Sequence, residues 1–130
     1  MLDAARRRLA RFENVEFHEG DLTGLPLADG SIDAATVFLV LHHLEHPGDA
    51  VREIGRILRA RGVVLIVDMV AHDRETYRHT MGHQHLGFDE PTVHRWAGHA
   101  GLVVTRYHRL PVDTQSKGPG LFVATMLREG

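Results

Sequence analysis

The sequence predicts the α/β fold class: an open sheet in which parallel strands come first and an antiparallel hairpin comes last. Two observations predict it. Segments with helical apolar spacing alternate with short β-branched runs, and the last two such runs follow each other without a helix between them. The 130 residues contain no repeat or linker, so we expect a single domain over residues 1–130. The predicted order is α-β-β-α-β-α-β-β.

The first helix and the first strand are both short. Residues 2–12 place Ala5, Leu9 and Phe12 on one helical face, with arginines on the others. Residues 15–17 follow as a strand that ends in a turn-prone Glu-Gly-Asp sequence. A loop that contains glycine and proline leads from this turn to the second strand.

Two buried strands flank the second helix. Residues 32–41 form a nearly continuous apolar run rich in β-branched residues, which is typical of a strand covered on both faces. Pro47 then opens a helix at a favoured first-turn position, and we expect Gly62 to end it in the left-handed conformation. Residues 63–67 form the next strand. The helix carries an apolar stripe at helical spacing: Ala50, Val51, Ile54, Ile57 and Leu58.

The last part of the chain begins with a polar, histidine-rich segment, residues 72–88, for which we expect a helix in the first half. Asp89 begins another helix, and Gly101 ends it. Trp96 on this helix is expected in the core, with a substrate-pocket wall as the alternative. Two strands then form the hairpin: residues 102–110 and residues 121–127.

Composition excludes several classes of function. The net charge of −2 gives no basic excess to attract phosphate, so we expect no nucleic acid partner. Without cysteine the chain has no disulfide, no zinc–thiolate site and no thiol catalysis. No apolar run approaches the roughly 20 residues that span a bilayer. We therefore expect no membrane partner and a cytoplasmic location.

Polar residues follow three of the predicted parallel strands. Gly20-Asp21 comes after the first strand, His42-His43 after the second, and Asp68 after the third. In open α/β sheets, ligands bind beyond the carboxyl ends of the strands. The order of strands therefore predicts a binding site at one edge of the sheet, without naming its ligand.

Two ordered motifs in this region resemble those of class I S-adenosylmethionine-dependent methyltransferases. Glu19-Gly20-Asp21 with residues 25–33, LPLADGSID, is similar to the family's GD…LP…DGSFD stretch. The second block resembles the pattern LHHL…P…RE…R.LRPGG, and is carried by residues 41–44, Pro47, Arg52-Glu53, Arg56 and residues 58–62. Ala60-Arg61 replaces the usual Pro-Gly before Gly62, which changes a turn.

The later segment resembles a narrower group within this family, the ubiquinone and menaquinone biosynthesis type. Its sequence is most similar to members fused behind an ArsR-type winged-helix regulator, in Ala71-His72-Asp73, Glu75, Arg78, His83 and residues 86–88. The resemblance implies a partial Rossmann-like methyltransferase sheet, S-adenosylmethionine as cofactor and a small-molecule methyl acceptor.

The resemblance also implies the roles of individual residues. Asp21 would accept a hydrogen bond from the adenine amino group, since a carboxylate offers only acceptors. Leu22 would contact the adenine ring, and Phe38 would line the methionine part of the cofactor. His43, or its neighbour His42, would stand near the transferred methyl. For Asp21 an ordinary turn carboxylate is the alternative interpretation.

Histidines supply the candidates for catalysis and for metal binding. His43 and His72 are candidate general bases, because imidazole titrates in the useful range. His79 and His83 have helical spacing that would suit a metal pair, but no carboxylate or thiolate completes a ligand set. We therefore expect these histidines to be scattered over the surface and predict no metal site.

The family's glycine-rich cofactor loop is not found in this sequence. The resemblance places Met1 inside the complete domain, so it implies an N-terminally truncated chain with a gap in its sheet. Unpaired strand edges invite pairing with another chain. We expect either that residues 15–17 pair beside residues 32–39, or that the chain self-associates, as a homodimer, to complete the sheet.

Three functions follow from these patterns. The first is methyl transfer from S-adenosylmethionine to a small molecule, by alignment of the acceptor with the methyl group and without a protein nucleophile. The second is a catalytically dead methyltransferase-like binding or dimerisation module. The third, ranked below both, is a histidine-based metal-binding domain.

Overall fold

A computed structural model describes residues 2–71, 87–111 and 120–130. These contain three helices, a short 3-10 helix and four strands. In chain order they are α1 (Leu2–Leu9), β1 (Ile32–Phe38), the 3-10 helix (Leu41–His43), α2 (Pro47–Ile57), β2 (Leu58–Met69), α3 (Glu90–Ala100), β3 (Leu102–Arg109) and β4 (Leu121–Arg128).

The four strands form one mixed sheet in the order β1-β2-β4-β3. β1 and β2 are parallel, and β4 is antiparallel to both β2 and β3. β3 therefore runs in the same direction as β1 and β2, so these three strands end at the same edge. The predicted fold class is confirmed, and β4 lies between β2 and β3 in the sheet.

Helices α2 and α3 cover one face of the sheet, and their ends follow local rules. Pro47 occupies the first turn of α2, and the predicted apolar stripe of this helix is buried. The Asp89 side chain accepts a hydrogen bond from the Thr92 amide at 3.0 Å and so caps α3. Gly101 ends α3 at a φ of 72°, as predicted. Trp96 is buried between the helices and the sheet, which confirms its place in the core.

The opposite face of the sheet is apolar and exposed in the part of the chain that is described. Val63, Leu65 and Val103 are all exposed large hydrophobic residues. Helix α1 has none of its residues buried, so its apolar side does not cover this face. The core formed by the described residues consequently lies on one side of the sheet.

The predicted strand at residues 15–17 is wrong. These residues carry no regular secondary structure, and the outer edge of β1 has no partner strand among the described residues. A three-residue segment gains strand hydrogen bonds only from a neighbour, and within the described ranges β1 pairs only with β2. The expected pairing beside residues 32–39 is therefore not formed.

The second predicted strand, residues 32–41, ends three residues early. Leu39 has a φ of +56°, which interrupts the extended backbone after Phe38. Its amide still donates to the Val67 carbonyl at 2.8 Å, so the chain leaves the sheet only at this point. The 3-10 helix Leu41–His43 follows and redirects the chain toward α2.

The predicted end of the second helix at Gly62 is also wrong. Helix α2 ends at Ile57, and Leu58 adopts an extended conformation directly. The left-handed residue is Arg61, at a φ of +67°, where the register of β2 against β1 shifts. Strand β2 therefore covers Leu58–Met69 rather than residues 63–67 alone.

A distant arginine takes the place of the predicted stop signal. One guanidinium nitrogen of Arg128, in β4, donates to carbonyl oxygens of Gly55 at 3.1 Å and Arg56 at 3.3 Å, and to that of Leu58. These are carbonyls at the end of α2 that the helix itself leaves without donors. The end of α2 is thus stabilised by tertiary contact, which local sequence does not reveal.

The histidine-rich segment is the part of the prediction that the structure leaves open. Residues 72–86, including the expected helix, lie outside the described residues. Phe88 is described, and it forms a parallel bridge with Val70 beyond the end of β2. Its ring packs edge-to-face against Trp96, with 4.6 Å between ring centroids.

Candidate functional site

A buried histidine–aspartate pair joins the ends of β1 and β2. The Nδ1 atom of His42 lies 2.7 Å from Oδ1 of Asp68. The two residues are only 3% and 0% exposed. Oδ1 also accepts from the Met69 amide at 2.8 Å, and Oδ2 lies 3.4 Å from the His42 amide. The predicted convergence of these two strand ends is therefore confirmed at the level of a direct contact.

His43, the predicted catalytic residue, is exposed on the 3-10 helix next to this pair. Its ring centroid lies 4.1 Å from that of His42, with the planes tilted by 42°. The buried His42–Asp68 pair therefore anchors the 3-10 helix that carries His43. His72, the other predicted catalytic residue, lies outside the described residues.

Asp21 lies in an exposed turn, and its side chain stabilises that turn by hydrogen bonds. Its Oδ1 accepts from the Thr23 amide at 2.9 Å and from the Thr23 hydroxyl at 2.8 Å. The backbone hydrogen bond, and then the hydroxyl, hold the pKa of Asp21 below its ordinary value. Both bonds use one carboxylate oxygen, so the turn role leaves Oδ2 available among the described residues. The turn and ligand interpretations are compatible.

The two apolar candidates differ in exposure. Leu22 is half-buried and packs against the main hydrophobic core, which anchors the turn that carries Asp21. Phe38 is 64% exposed at the last position of β1. The Phe38 ring therefore does not fill the core and lies at the edge of the sheet where ligands bind in open α/β folds.

A cavity of about 550 Å³ lies between the first turns of α2 and α3. Its volume is within the usual range of small-molecule sites, roughly 300–1,000 Å³. Phe88 and Trp96 provide aromatic walls, and Arg95 provides a cation. The other lining residues include His46, Asp49, Ala71 and Asp89. Because Ala71 and His46 closely follow Asp68 and His43 in sequence, the cavity belongs to the same edge of the sheet.

Sequence reasoning missed Asp68 as the partner of His42, and it missed Arg95. Trp96, which lines the cavity, was considered as a pocket wall only as the alternative to a core residue. One signal for Asp68 was present, because a carboxylate ends an otherwise apolar buried strand and needs a partner there. Nothing in the local sequence marks Arg95, whose place in the cavity depends on how α2 packs against α3.

The described residues contain no cluster of three or more side chains suited to a metal ion. His79, His83 and His85 are outside that part of the chain. Within the described ranges, no helix has both the length and the apolar character to cross a membrane.

In open α/β sheets, ligands bind at the carboxyl ends of the strands, and the polar residues of this sheet gather at that edge. Residues 1–66 match the sequence profile of the methyltransferase domain family. The chain belongs to this family, whose cofactor is S-adenosylmethionine. The matched segment includes Asp21, Phe38 and His43.

Two curated relatives show how far the sequence similarity extends. The demethylmenaquinone methyltransferase of Clavibacter sepedonicus is 38% identical over 68 residues, which are 52% of this chain and 28% of the relative. The ubiquinone/menaquinone biosynthesis C-methyltransferase of Hahella chejuensis is 24% identical over 85% of this chain and 56% of the relative. The matched segment thus spans just over a quarter of the first relative's length and little more than half of the second's.

Solved structures with low sequence identity share the fold. A provisionally assigned methyltransferase from Bacillus halodurans superposes with a TM-score of 0.81 at 16% identity, covering 99% of this chain and 79% of the other. The 1,6-didemethyltoxoflavin-N1-methyltransferase of Burkholderia thailandensis has a TM-score of 0.74 at 19% identity, over 99% and 56% of the two chains. That structure contains 1,6-didemethyltoxoflavin and S-adenosylhomocysteine.

Proposed function

We propose that this chain takes part in methyl transfer from S-adenosylmethionine to a small-molecule acceptor. One observation carries the proposal. The family-matched segment contains the Asp21 carboxylate in its turn and the Phe38 ring at the end of β1, and both side chains are exposed. An ionised acceptor and an aromatic wall are what the adenine amine and the apolar parts of this cofactor require.

The described residues fit one part of the cofactor. The free oxygen of Asp21 would accept from the adenine amino group, while its other oxygen keeps the turn closed through Thr23. Leu22 would contact the adenine ring, and Phe38 would line the methionine part. When bound, S-adenosylmethionine supplies an electrophilic methyl group. No motif of this sequence corresponds to the family's glycine-rich loop or to its ribose-binding acid.

The acceptor side of the proposed site is formed by His43 and the neighbouring cavity. His43 would remove a proton from the acceptor, since its exposed imidazole stands on the 3-10 helix at the strand ends. His72 is the second candidate for this role. The acceptor would occupy the cavity between α2 and α3, where Phe88 and Trp96 present ring surfaces. The residues supply alignment and proton transfer, with no nucleophile.

Isothermal titration with S-adenosylmethionine and with S-adenosylhomocysteine tests the proposal. We expect saturable binding by the unchanged chain and about tenfold weaker binding by Asp21→Asn, which exchanges an acceptor for a donor. Asp33→Asn is the matched control, because Asp33 is an exposed carboxylate on β1 that pairs with Arg59. Absence of heat at millimolar ligand would refute cofactor binding by this chain.

A second candidate function, a catalytically dead binding or dimerisation module, is favoured by the uncovered face of the sheet. Val63, Leu65 and Val103 are exposed there, and the outer edge of β1 is unpaired among the described residues. Such edges and apolar faces promote association between chains. We propose that the chain self-associates through this side.

Light scattering on the eluting protein tests the self-association. We expect the mass of a homodimer, and we expect Leu65→Glu to shift it toward the monomer. His99→Glu is the control, since His99 is exposed on α3, on the covered side of the sheet. A monomer that keeps its full helix and strand content would contradict the proposal.

A further inference from the structure

Two charged residues of α2 attach an irregular loop to that helix. Glu53 Oε2 accepts from the Leu25 amide at 2.5 Å, and Glu53 Oε1 accepts from Arg56 Nε at 2.5 Å. The Arg56 guanidinium also donates to Asp29 Oδ1 at 2.6 Å and to the Leu25 carbonyl at 3.1 Å. We call Glu53 and Arg56 the loop clamp. Both backbone groups of Leu25 are therefore bound by one pair of side chains.

The loop clamp acts on the loop that carries Asp21. Asp21 and Leu25 are four residues apart, and the Gly24 amide donates to the Asp21 carbonyl at 3.0 Å, which closes the turn between them. Farther along, the Gly30 amide donates to the Arg56 carbonyl at 3.0 Å. The loop is thus held to α2 at Leu25, Asp29 and Gly30, and its Asp21 turn is closed by contacts within the loop.

The course of the loop follows from a second set of contacts. Thr23, the partner of Asp21, lines a small cavity of about 310 Å³ with residues from the first half of α2, Asp49 and Arg52, and with the loop clamp. Asp29 pairs with Arg56 in the last turn of the same helix. The loop therefore runs antiparallel to α2, and its Asp21 end lies toward the start of that helix. Because α2 begins shortly after the end of β1 in the chain, the Asp21 end of the loop lies toward the carboxyl edge of the sheet.

Burial distinguishes this cluster from an ordinary surface ion pair. The Glu53 side chain is only 10% exposed and Arg56 is 33% exposed, whereas Asp29 is largely in solvent. Hydrogen bonds between ionised groups are shorter and stronger than neutral ones, especially when a guanidinium binds two partners. A loop without regular secondary structure gains order only from such contacts, since fixing each residue costs conformational entropy.

We propose that Glu53 and Arg56 are positioning residues, which hold the loop of residues 21–30 so that Asp21 meets the cofactor. This role rests on the proposed function, in which the Asp21 turn binds the cofactor. Neither residue touches the cofactor in this account. Loss of the loop clamp weakens cofactor binding by releasing Asp21, while the sheet and its core remain folded.

Hydrogen exchange in the cofactor-free protein tests the first half of the proposal. In Glu53→Ala we expect the Leu25 amide to exchange at least tenfold faster, with the Ile66 amide in β2 unchanged as a report on the fold. Arg52→Ala is the control, because Arg52 is the exposed neighbour on α2 and lines the same small cavity. Equal Leu25 exchange in the Glu53→Ala protein and the unchanged protein would overturn the loop clamp.

Titration with S-adenosylhomocysteine tests the second half. We expect about tenfold weaker binding by Glu53→Ala, unchanged binding by Arg52→Ala, and little further loss when Asp21→Asn is added to Glu53→Ala, because both changes act on one contact. Glu53→Gln retains an acceptor for Leu25 while losing the charge partner of Arg56, and we expect an intermediate loss. It also supplies the test if Glu53→Ala fails to fold.

The outcomes separate this inference from the proposed function. Binding that is tight in the unchanged chain and equally tight in the Glu53 variants would overturn the positioning role alone. No binding by the unchanged chain would overturn the proposed function and the role toward the cofactor together, while the exchange experiment would still decide whether the loop is clamped.

Discussion

Nδ1 of His42 lies 2.7 Å from Oδ1 of Asp68, and both side chains are buried. An ionised carboxylate can only accept, so Nδ1–H is the donor of this bond when Asp68 carries its charge. Asp68 also accepts from the Met69 amide, so one side chain satisfies donors from two chain segments. The contact fixes the 3-10 helix that carries His43 to the end of β2.

Replacement of Asp68 by alanine is expected to lower the free energy of unfolding by about 2–4 kcal/mol, since it leaves the His42 and Met69 donors buried without their acceptor. Urea unfolding followed by circular dichroism measures the change. Asp33→Ala is the matched control in the same sheet, and its exposed pair with Arg59 predicts a loss below about 1 kcal/mol. Equal losses in the two variants would show that the buried pair contributes no more to stability than the exposed pair of Asp33 and Arg59.

Gly55 lies where α2 closely approaches the end of α3. A Cβ atom there would lie 2.6 Å from the Ala100 carbonyl oxygen, so one of the helices must shift. We expect Gly55→Ala to destabilise the fold by about 1–3 kcal/mol in urea unfolding, despite the better helix propensity of alanine.

Gly98 on α3 provides the control for this substitution. A Cβ atom at Gly98 would meet nothing within 4 Å, so only the propensity gain remains. Gly98→Ala is therefore expected to stabilise the protein by about 0.5–1 kcal/mol. A Gly55→Ala protein as stable as Gly98→Ala would show that the two helices are not in close contact.

Arg61 is exposed and has a φ of +67°, a conformation that favours glycine. This is the position at which the resembling methyltransferases usually have glycine. We expect Arg61→Gly to raise the free energy of unfolding by about 0.5–1 kcal/mol, after allowance for the flexibility of glycine in the unfolded chain. Arg61→Ala removes the same charge without relieving the backbone. A gain of equal size in both variants would point to charge rather than conformation.

The contribution of the loop clamp is expected to depend on pH. The hydrogen bond from Arg56 holds the pKa of Glu53 below its ordinary value of 4.5. A lowered pKa in the folded state means that this stabilisation is complete above the unfolded value and disappears as the pH falls through the folded one. The stability difference between the unchanged chain and Glu53→Gln should therefore be constant near neutral pH and shrink below about pH 4.5.

Urea midpoints of both chains, measured across this acid range, provide the check. Asp21 and Asp89 also have lowered pKa values, but they are present in both chains and cancel in the difference. A stability difference that stays constant through the acid range would exclude ionised Glu53 as the source of the effect.

Much of the fold could be predicted from sequence because its signals are local. Pro47, Asp89 and Gly101 mark helix ends through their own backbone chemistry, and the structure confirms each. The prediction of a strand at residues 15–17 was wrong because strand formation depends on a neighbour. The end of α2 was also mispredicted, because the group that stabilises it comes from Arg128, about seventy residues away.

In the candidate site, too, features with a local sequence signal could be predicted, whereas features that depend on distant residues could not. Asp21 and His43 were predicted by motif, and the structure places both in exposed positions. The partner of His42 could not be predicted with certainty, because it depends on the register of β1 against β2. The loop clamp was visible only as part of a motif, since its hydrogen bonds join residues 28 and 31 positions apart.

The central claim is that the Asp21 turn and the end of β1 receive the cofactor. A nuclear magnetic resonance titration with S-adenosylhomocysteine tests it most directly, by following the amides of Asp21, Leu22 and Phe38 in the isotopically labelled chain. We expect saturable shifts at these three amides, with Val103 on the opposite face of the sheet unchanged. An unchanged spectrum at millimolar ligand, or shifts confined to other regions, would contradict it.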